Sequence, residues 1–503
     1  MRQVVREFQR KADEADFVAV IDDTGAHTAR ELLGEATGLA GALADGRAGG
    51  TCGTVMVQAD NSWRTVVATL AVGMSGGVLA VVNRHTTPAE FTAAREDISP
   101  DAVIAEDSAM EEWAVPEALP GPTSTVLKGW SCRTAPGKRD VSRWSGGVLI
   151  GLTSGSTGRP KGVVQSEEAL RYACTSTIAV NGLARGDATA AIVPLSSTAA
   201  YCFGVYLSLL LGGPLLLTGK WDRAVALRRM AENDARWTMC VPTMALQMGA
   251  EAAGSGILGG VRAITVGGGP MDRAALARAE QSLGTKILRV FGMSECLGHT
   301  SPSPGDPEEI RLGRDGRPFP GTDVRALTPD GQPAGTGTTG RAQVRGPSLF
   351  LGYARDGGVH PPALTDDGYF ATGDLLMTHE DGTLSIMGRE KDVIIRGGRN
   401  IDITEIERAV AGHPRVARAC VAAVPDEVLG ERVALLVVTE DGGGIELDEV
   451  TGHLESAGLA KTKWPEYVWG VSELPQTRVG KLDRAGARDL AFRMRARTAG
   501  PAA

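Results

Sequence analysis

An apolar run, Leu149-Ile150-Gly151-Leu152, leads directly into Thr153-Ser154-Gly155-Ser156-Thr157-Gly158-Arg159-Pro160-Lys161-Gly162 and then into a β-prone pair, Val163-Val164. A strand thus delivers a run of hydroxyls and glycines that ends in a lysine. Glycines let the backbone approach a polyphosphate, hydroxyls and amides donate to its oxygens, and lysine adds a compact positive charge. A Walker loop needs its lysine directly after the last glycine, followed by Ser or Thr at a helix start. Here Arg159-Pro160 intervene and Gly162 follows, which disfavours a P-loop NTPase. A flexible Gly/Ser linker would share the composition, but linkers seldom sit between two β-prone segments.

The chain around this loop is large, 503 residues with 43% hydrophobic, and predicts more than one domain. Its net charge of −8 offers no basic surface for nucleic acid or anionic lipid, so any phosphate binding is local. Seven scattered cysteines show no close pair of metal-ligand spacing and read as reduced thiols of a cytosolic protein. Charges occupy Met1 to Glu7, where a signal peptide needs its apolar stretch. The longest apolar run, Gly204 to Leu217, is broken by Gly212-Gly213-Pro214 and is too short to span a bilayer. The expectation is a cytoplasmic protein with no membrane span.

Short β-prone runs at Thr54 to Val57, Ala188 to Val193, Leu215 to Leu217 and Val261 to Val266 alternate with helical stretches such as Arg223 to Ala231 and Met271 to Ser282. This predicts an α/β fold of mostly parallel sheets covered by helices. The polar, turn-rich stretch around 120 to 145 reads as a surface connection. After about Ile310 the texture turns to Gly, Pro, Asp and Thr with short strands, a β-rich section. Near Gly388 it changes again. Val393-Ile394-Ile395, a helix from about Thr404 and a strand over Val433 to Val438 predict a small α+β domain. The division expected is a large domain over 1–388 and a small mobile one over 389–503. No internal repeat is visible.

The phosphate loop resembles the signature of the adenylate-forming superfamily, which contains acyl-CoA synthetases, aryl-acid ligases, nonribosomal-peptide adenylation domains and beetle luciferases. The likeness runs in order from Thr28-Ala29-Arg30-Glu31 to Gly480-Lys481. Phe291-Gly292-Met293-Ser294-Glu295 resembles an aromatic-Gly-x-Thr-Glu motif with serine for threonine. The resemblance implies that the Ser294 hydroxyl meets the α-phosphate and that Glu295 serves Mg²⁺, roles that suit a donor and a hard carboxylate. Outside that context a Ser-Glu pair reads as a helix start. Gly267-Gly268-Gly269-Pro270 resembles the strand-end turn that flanks adenine and the acyl group. Asp374, in Tyr369-Phe370-Ala371-Thr372-Gly373-Asp374-Leu375, and Arg389 resemble the ribose-binding pair.

Further on, Lys391 matches the inter-domain hinge, and Arg396-Gly397-Gly398 matches a loop beside the pantetheine tunnel in a form more typical of CoA ligases. A hairpin or bulge requiring glycine would read alike. Ile403 stands where many CoA ligases carry proline. Leu474-Pro475-Gln476-Thr477-Arg478-Val479-Gly480-Lys481 resembles the C-terminal motif whose lysine bridges carboxylate and α-phosphate. Arg484, Arg488, Arg493, Arg495 and Arg497 read otherwise as a solvated basic helix.

What the resemblance implies is activation of a carboxylic acid by ATP and Mg²⁺ to acyl-AMP, with CoA as the acceptor. Alternatives are transfer to a carrier protein or partner acyltransferase, an oxygenase of luciferase type and a non-catalytic ATP sensor. Pro194 to Tyr201 aligns with an acyl-pocket segment in which many acyl-CoA synthetases carry an aromatic residue and histidine. Here Ser196 and Ser197 are small, and no aspartate lies between Pro194 and Leu211 to meet an ammonium. The expected substrate is therefore a bulky or aromatic apolar carboxylate. Ser197, Tyr201, Cys202, Thr243 and Met244 are the candidate lining residues, of which the last four read equally as core.

Overall fold

The computed structural model describes residues 1–44, 51–136, 139–153, 159–269, 271–397, 399–477 and 480–498, with 399, 400 and 498 by backbone alone. The chain forms two compact units. The first is Met1–Gly268, Leu276–Val324 and Val344–Phe370; the second is Gly269–Ala275, Arg325–Gln343 and Ala371–Ala503. The second unit is thus wider than the segment 389–503, because strands of the β-rich section belong to it.

The first unit is built on two nine-stranded sheets. In one, Gly147–Thr153, Val78–Val82, Thr54–Gln58 and Ala102–Glu106 run parallel side by side. Thr54–Gln58 and Val78–Val82 are buried at every position, as strands covered on both faces must be. Lys161–Ser166 folds back antiparallel on Gly147–Thr153, and Gly352–Arg355 extends that edge. At the opposite edge Thr123–Leu127 and Trp130–Thr134 form an antiparallel hairpin. Within the stretch read as a surface connection, Thr123–Leu127 and Trp130–Thr134 are therefore sheet, and Trp130 and Cys132 bury there despite polar neighbours.

The second sheet runs parallel through Val18–Asp22, Leu215–Leu217, Ala188–Ala191, Ala235–Cys240, Ala263–Gly267 and Ile287–Met293. The antiparallel strand Cys296–Ser301 follows. Buried Asn61 ties the loop after Thr54–Gln58 to this sheet. Its amide donates to the carbonyls of Ala191 and Val193, each at 3.2 Å, and its oxygen accepts from Leu195 N at 2.9 Å. Thr28 and Glu31, where the motif series begins, form a capping box that starts the helix Ala29–Leu43.

The second unit holds most of a four-stranded sheet containing Phe370–Thr378 and Leu384–Arg389, and a C-terminal module of five strands. In that module Val416–Asp426 and Gly430–Thr439 pair antiparallel, and Tyr467–Gly470 adds in parallel. The helices Ile403–Ala411 and Leu447–Ser456 bury Ile406, Val410, Val450 and Leu454 in one core, and Arg484–Thr498 buries Ala487 and Ala491 in another. Ile403 is the first residue of its helix, where proline is favoured. Asp402 caps that helix through Thr404 N at 2.8 Å, and Ile403 buries instead. Among the described residues no helix is long and apolar enough to cross a membrane.

Candidate active site

Strand register gathers the first half of the candidate site on one sheet face. In the hairpin, Thr153 lies opposite Lys161, Gly151 opposite Val163 and Leu149 opposite Gln165, and Tyr353 pairs with Val163 from the other side. Side chains alternate faces along a strand, so Thr153, Lys161, Gln165 and Tyr353 share one face. Ser154, Gly155, Ser156, Thr157 and Gly158, the tip of the expected phosphate loop, lie outside the described residues, as do Pro270 and Gly398. The Thr153 hydroxyl donates to the Lys161 carbonyl at 3.3 Å.

Ser294 and Glu295 meet this face. They do not start a helix; they are the two-residue turn of the hairpin Ile287–Met293 to Cys296–Ser301, with Met293 paired to Cys296. Buried Gln165 donates through Nε2 to the Ser294 carbonyl at 2.6 Å. The Tyr353 hydroxyl donates to Glu295 Oε1 at 2.9 Å, and Phe350 N donates to the Glu295 carbonyl at 2.8 Å. Lys161 Nζ stands 5.5 Å from the centre of the Tyr353 ring. Tyr353 and Gln165 carry no local sequence signature; only strand pairing across nearly 200 residues brings Tyr353 beside the phosphate hairpin.

Behind the turn, the Phe291 ring meets His299 edge to face at 4.6 Å. Burial pushes the His299 imidazole down to about 4, and its Nδ1 lies 2.9 Å from the Cys296 carbonyl. The unfolded chain binds this proton near 6.5, so between about pH 6.5 and 4 it holds more protons than the folded chain. The stability contributed by neutral His299 is therefore complete above 6.5 and lost as pH falls through about 4. Urea unfolding across that range is expected to show a slope shallower by up to one proton in His299→Asn than in the parent; equal slopes would sink the assignment.

Gly151 has a packing reason: a Cβ there would lie 2.0 Å from Thr198 Oγ1. That hydroxyl is buried with no hydrogen-bond partner among the described residues. The segment from Pro194 thus packs against the strand Gly147–Thr153. Ser196 is buried, its hydroxyl 2.8 Å from Asn83 Nδ2, and Ser197 is half-buried ahead of the short helix Thr198–Ala200. Tyr201 and Cys202, expected on the pocket wall, are instead wholly buried core. Tyr201 donates its hydroxyl to Thr69 at 2.9 Å, and the Cys202 sulfur lies 3.5 Å from that of Cys174. Thr243 is half-buried and Met244 buried in the first turn of the helix Pro242–Ala252. Gly267 ends its strand with Val290 too close for a comfortable Cβ, and Gly268 turns at φ +83°.

In the second unit Asp374 and Arg389 lie opposite one another on paired strands, Arg389 Nε donating to Asp374 Oδ1 at 3.0 Å. Burial raises the Asp374 carboxyl, against the pull of Arg389. Its Oδ2 is buried with no partner among the described residues, which suits it to accept a ligand hydroxyl. Lys391 is exposed in the turn between Leu384–Arg389 and Val393–Arg396. Arg396 directs its guanidinium to Glu466 and to the carbonyls of Thr462 and Trp464, bracing the turn at Gly397 from inside the unit. Lys481 is exposed at a turn in which Thr477 N donates to its carbonyl at 2.7 Å and Gly480 takes φ +77°.

Three residues on, Arg484 is no solvated surface cation. It donates to both Glu407 oxygens at 2.9 Å each, and its Nε lies 3.1 Å from Asp392 Oδ2.

Among the described residues no cluster of three or more His, Cys, Asp or Glu could hold a metal. One carboxylate, Glu295, stands beside Lys161 through Tyr353, which fits magnesium: it keeps waters and substrate phosphates and takes one or two protein carboxylates.

A serine–glutamate turn beside Lys161 in one unit, and in the other an aspartate with a buried unpartnered oxygen, are features of a nucleotide-using enzyme. Residues 8–354 match the model of the AMP-binding enzyme family, and residues 405–481 match the AMP-binding enzyme C-terminal domain. The chain belongs to the AMP-binding enzyme family. It is 31% identical to a salicylyl-CoA synthase / salicylate adenylyltransferase of a Streptomyces species, covering 94% of this chain and 91% of that protein. It is also 31% identical to 2-hydroxy-7-methoxy-5-methyl-1-naphthoate–CoA ligase of Streptomyces carzinostaticus, over 82% of this chain and 72% of the relative. Its fold matches ATP-bound MatB from Rhodopseudomonas palustris with a TM-score of 0.82 at 26% identity, covering 97% and 99% of the two chains.

Proposed function

We propose that the chain is an AMP-forming acid–CoA ligase acting on a bulky or aromatic apolar carboxylate. The observation that carries the reading is the single sheet face on which Lys161, Gln165 with Ser294, and Tyr353 with Glu295 come together. A substrate carboxylate oxygen attacks the α-phosphorus of ATP; the new O–P bond gives acyl-AMP, and the bond to the bridging oxygen breaks to release pyrophosphate. Two anions approach, so the work is positioning and charge neutralisation. Thr153 to Gly158 and Lys161 hold the phosphates, Ser294 donates to the α-phosphate, Asp374 and Arg389 take the ribose, and Lys481 bridges carboxylate and phosphate. Gly267 to Pro270 flank the adenine and acyl groups, and Phe291 to Met293 belong to the ATP-binding site. When bound, Mg²⁺ neutralises phosphate charge, and Glu295 is its protein ligand.

In the second half-reaction the CoA thiol attacks the acyl carbonyl and AMP leaves. Lys391 is the hinge of a mobile segment 389–503, and Gly397 and Gly398 line the pantetheine path, with Arg396 supporting the turn at Gly397. Ser197, Thr243 and Met244 line the acyl pocket, while the buried Tyr201 and Cys202 do not. Small Ser196 and Ser197 leave room for a ring, and the two relatives named above act on salicylate and a naphthoate. A cytoplasmic location supplies both ATP and CoA.

Mass spectrometry of products formed with Mg-ATP and a panel of carboxylates, with and without CoA, tests the reading. Acyl-AMP that becomes acyl-CoA supports it. Acyl-AMP that persists points to a carrier protein or partner acyltransferase as the acceptor, and a preference for acetate or an amino acid overturns the substrate class.

A further inference from the structure

We infer that Tyr353 is a positioning residue for the metal–nucleotide: its hydroxyl fixes the Glu295 carboxylate so that one oxygen stays directed at Mg²⁺, while its ring seats Lys161. The inference rests on the reading of Glu295 as the magnesium carboxylate.

Three observations carry it. The Tyr353 hydroxyl has Glu295 Oε1 as acceptor at 2.9 Å, which leaves Oε2 for another partner. A hydrogen bond to an ionised carboxylate is roughly twice as strong as a neutral one. The ring is held on three sides: by register against Val163, by Phe350 edge to face at 4.9 Å, and by the Lys161 ammonium at 5.5 Å. Phe350 in turn donates its backbone N–H to the Glu295 carbonyl, so one edge strand and its lead-in grip both ends of that residue. Finally, Gln165 on the same sheet face holds the neighbouring Ser294 carbonyl at 2.6 Å. Because the turn 294–295 is tied by side chains rising from the phosphate hairpin and its edge strand, the hydroxyl and the carboxylate keep one spacing.

An ammonium over an aromatic face is a modest attraction at a partly exposed site. Lys161 is exposed, so it can leave the ring for a phosphate oxygen at little cost. Tyr353 thus presents Lys161 and Glu295, one cation and one anion, to opposite partners of the same ligand: the phosphate oxygens and the metal that neutralises them. A phenylalanine keeps the ring and its packing but loses the hydroxyl, so it separates orientation of Glu295 from seating of Lys161.

The experiment uses the full chain and compares Tyr353→Phe, Tyr353→Leu and Glu295→Ala with the parent. Two readouts are taken: the magnesium concentration giving half-maximal pyrophosphate release at saturating ATP and acid, and binding of Mn²⁺ with ATP by electron paramagnetic resonance in the absence of acid. Tyr353→Phe is expected to raise the metal requirement and weaken Mn²⁺ binding by about 10-fold, as for loss of one charge-assisted hydrogen bond. Its kcat at saturating metal falls by much less. Tyr353→Leu, which also removes the ring, raises the KM for ATP in addition. A packing role alone would lower thermal stability and kcat without moving the metal midpoint. An unchanged midpoint in Tyr353→Phe, with Glu295→Ala strongly shifted, overturns the inference and leaves the site reading intact. An unchanged midpoint in Glu295→Ala overturns the metal assignment and the inference with it.

Discussion

Lys481→Ala is expected to slow acyl-AMP formation by about 10²–10³-fold, the scale of losing one stabiliser of developing charge, while thioester formation from supplied acyl-AMP falls far less. The asymmetry follows from the chemistry. Only the first half-reaction brings a carboxylate against a polyphosphate, and it is there that the role proposed for Lys481 has its ammonium offset repulsion between the reactants. Pyrophosphate release and CoA-dependent consumption of synthetic acyl-AMP measure the two halves separately. Lys481 is exposed at a turn closed by Thr477 and Gly480, so truncating it opens no buried cavity, and both halves are measured on the same variant. Equal losses in both halves would remove Lys481 from the assigned role.

The second large effect falls on stability. Replacing Arg484 by methionine is expected to destabilise the protein by about 3 kcal/mol, because removing one partner of a buried ion pair leaves the other charge uncompensated. The Glu407 side chain is 7% exposed, and besides Arg484 it accepts from Val421 N at 2.8 Å. Arg484 itself is 27% exposed, which places the expectation toward the lower end of the range for such pairs. Its guanidinium also reaches Asp392, next to Lys391, so three segments lose a common anchor. Urea unfolding followed by circular dichroism measures the cost; a change below about 1 kcal/mol would mean that the pair is screened as a surface pair is. Glu407→Gln together with Arg484→Met, which removes the buried charge as well, should recover part of the loss.

The contrast between these two positions, three residues apart, shows what was legible. Lys481 stands out because its neighbours Pro475, Thr477 and Gly480 form a spaced pattern. Arg484 begins a run of arginines that reads as a solvated helix face, and nothing local says that the first of them meets a glutamate 77 positions earlier. Tyr353 is hidden for the same reason, since its partners Glu295 and Lys161 lie 58 and 192 positions away. The hairpin over 123–134 has no period-two signal in the sequence because its polar residues fall on both faces: Thr123, Ser124 and Thr125 are all exposed, while Ser131 and Thr134 are buried beside Trp130 and Cys132.

The amino-acid sequence by itself determined the alternating strands and helices and the order of motifs that place the chain in its family, because these depend on local periodicity and on residue types at fixed short spacings. Tertiary structure alone decided which side chains share a face: that Tyr201 and Cys202 enter the core, that Ser294 and Glu295 form a hairpin turn, and that Asp374 keeps a buried oxygen without a partner. The turn and the Asp374 oxygen depend on strand register, where a shift of one residue sends every side chain to the opposite face, and the burial of Tyr201 and Cys202 depends on how their helical segment Tyr201–Tyr206 packs into the core.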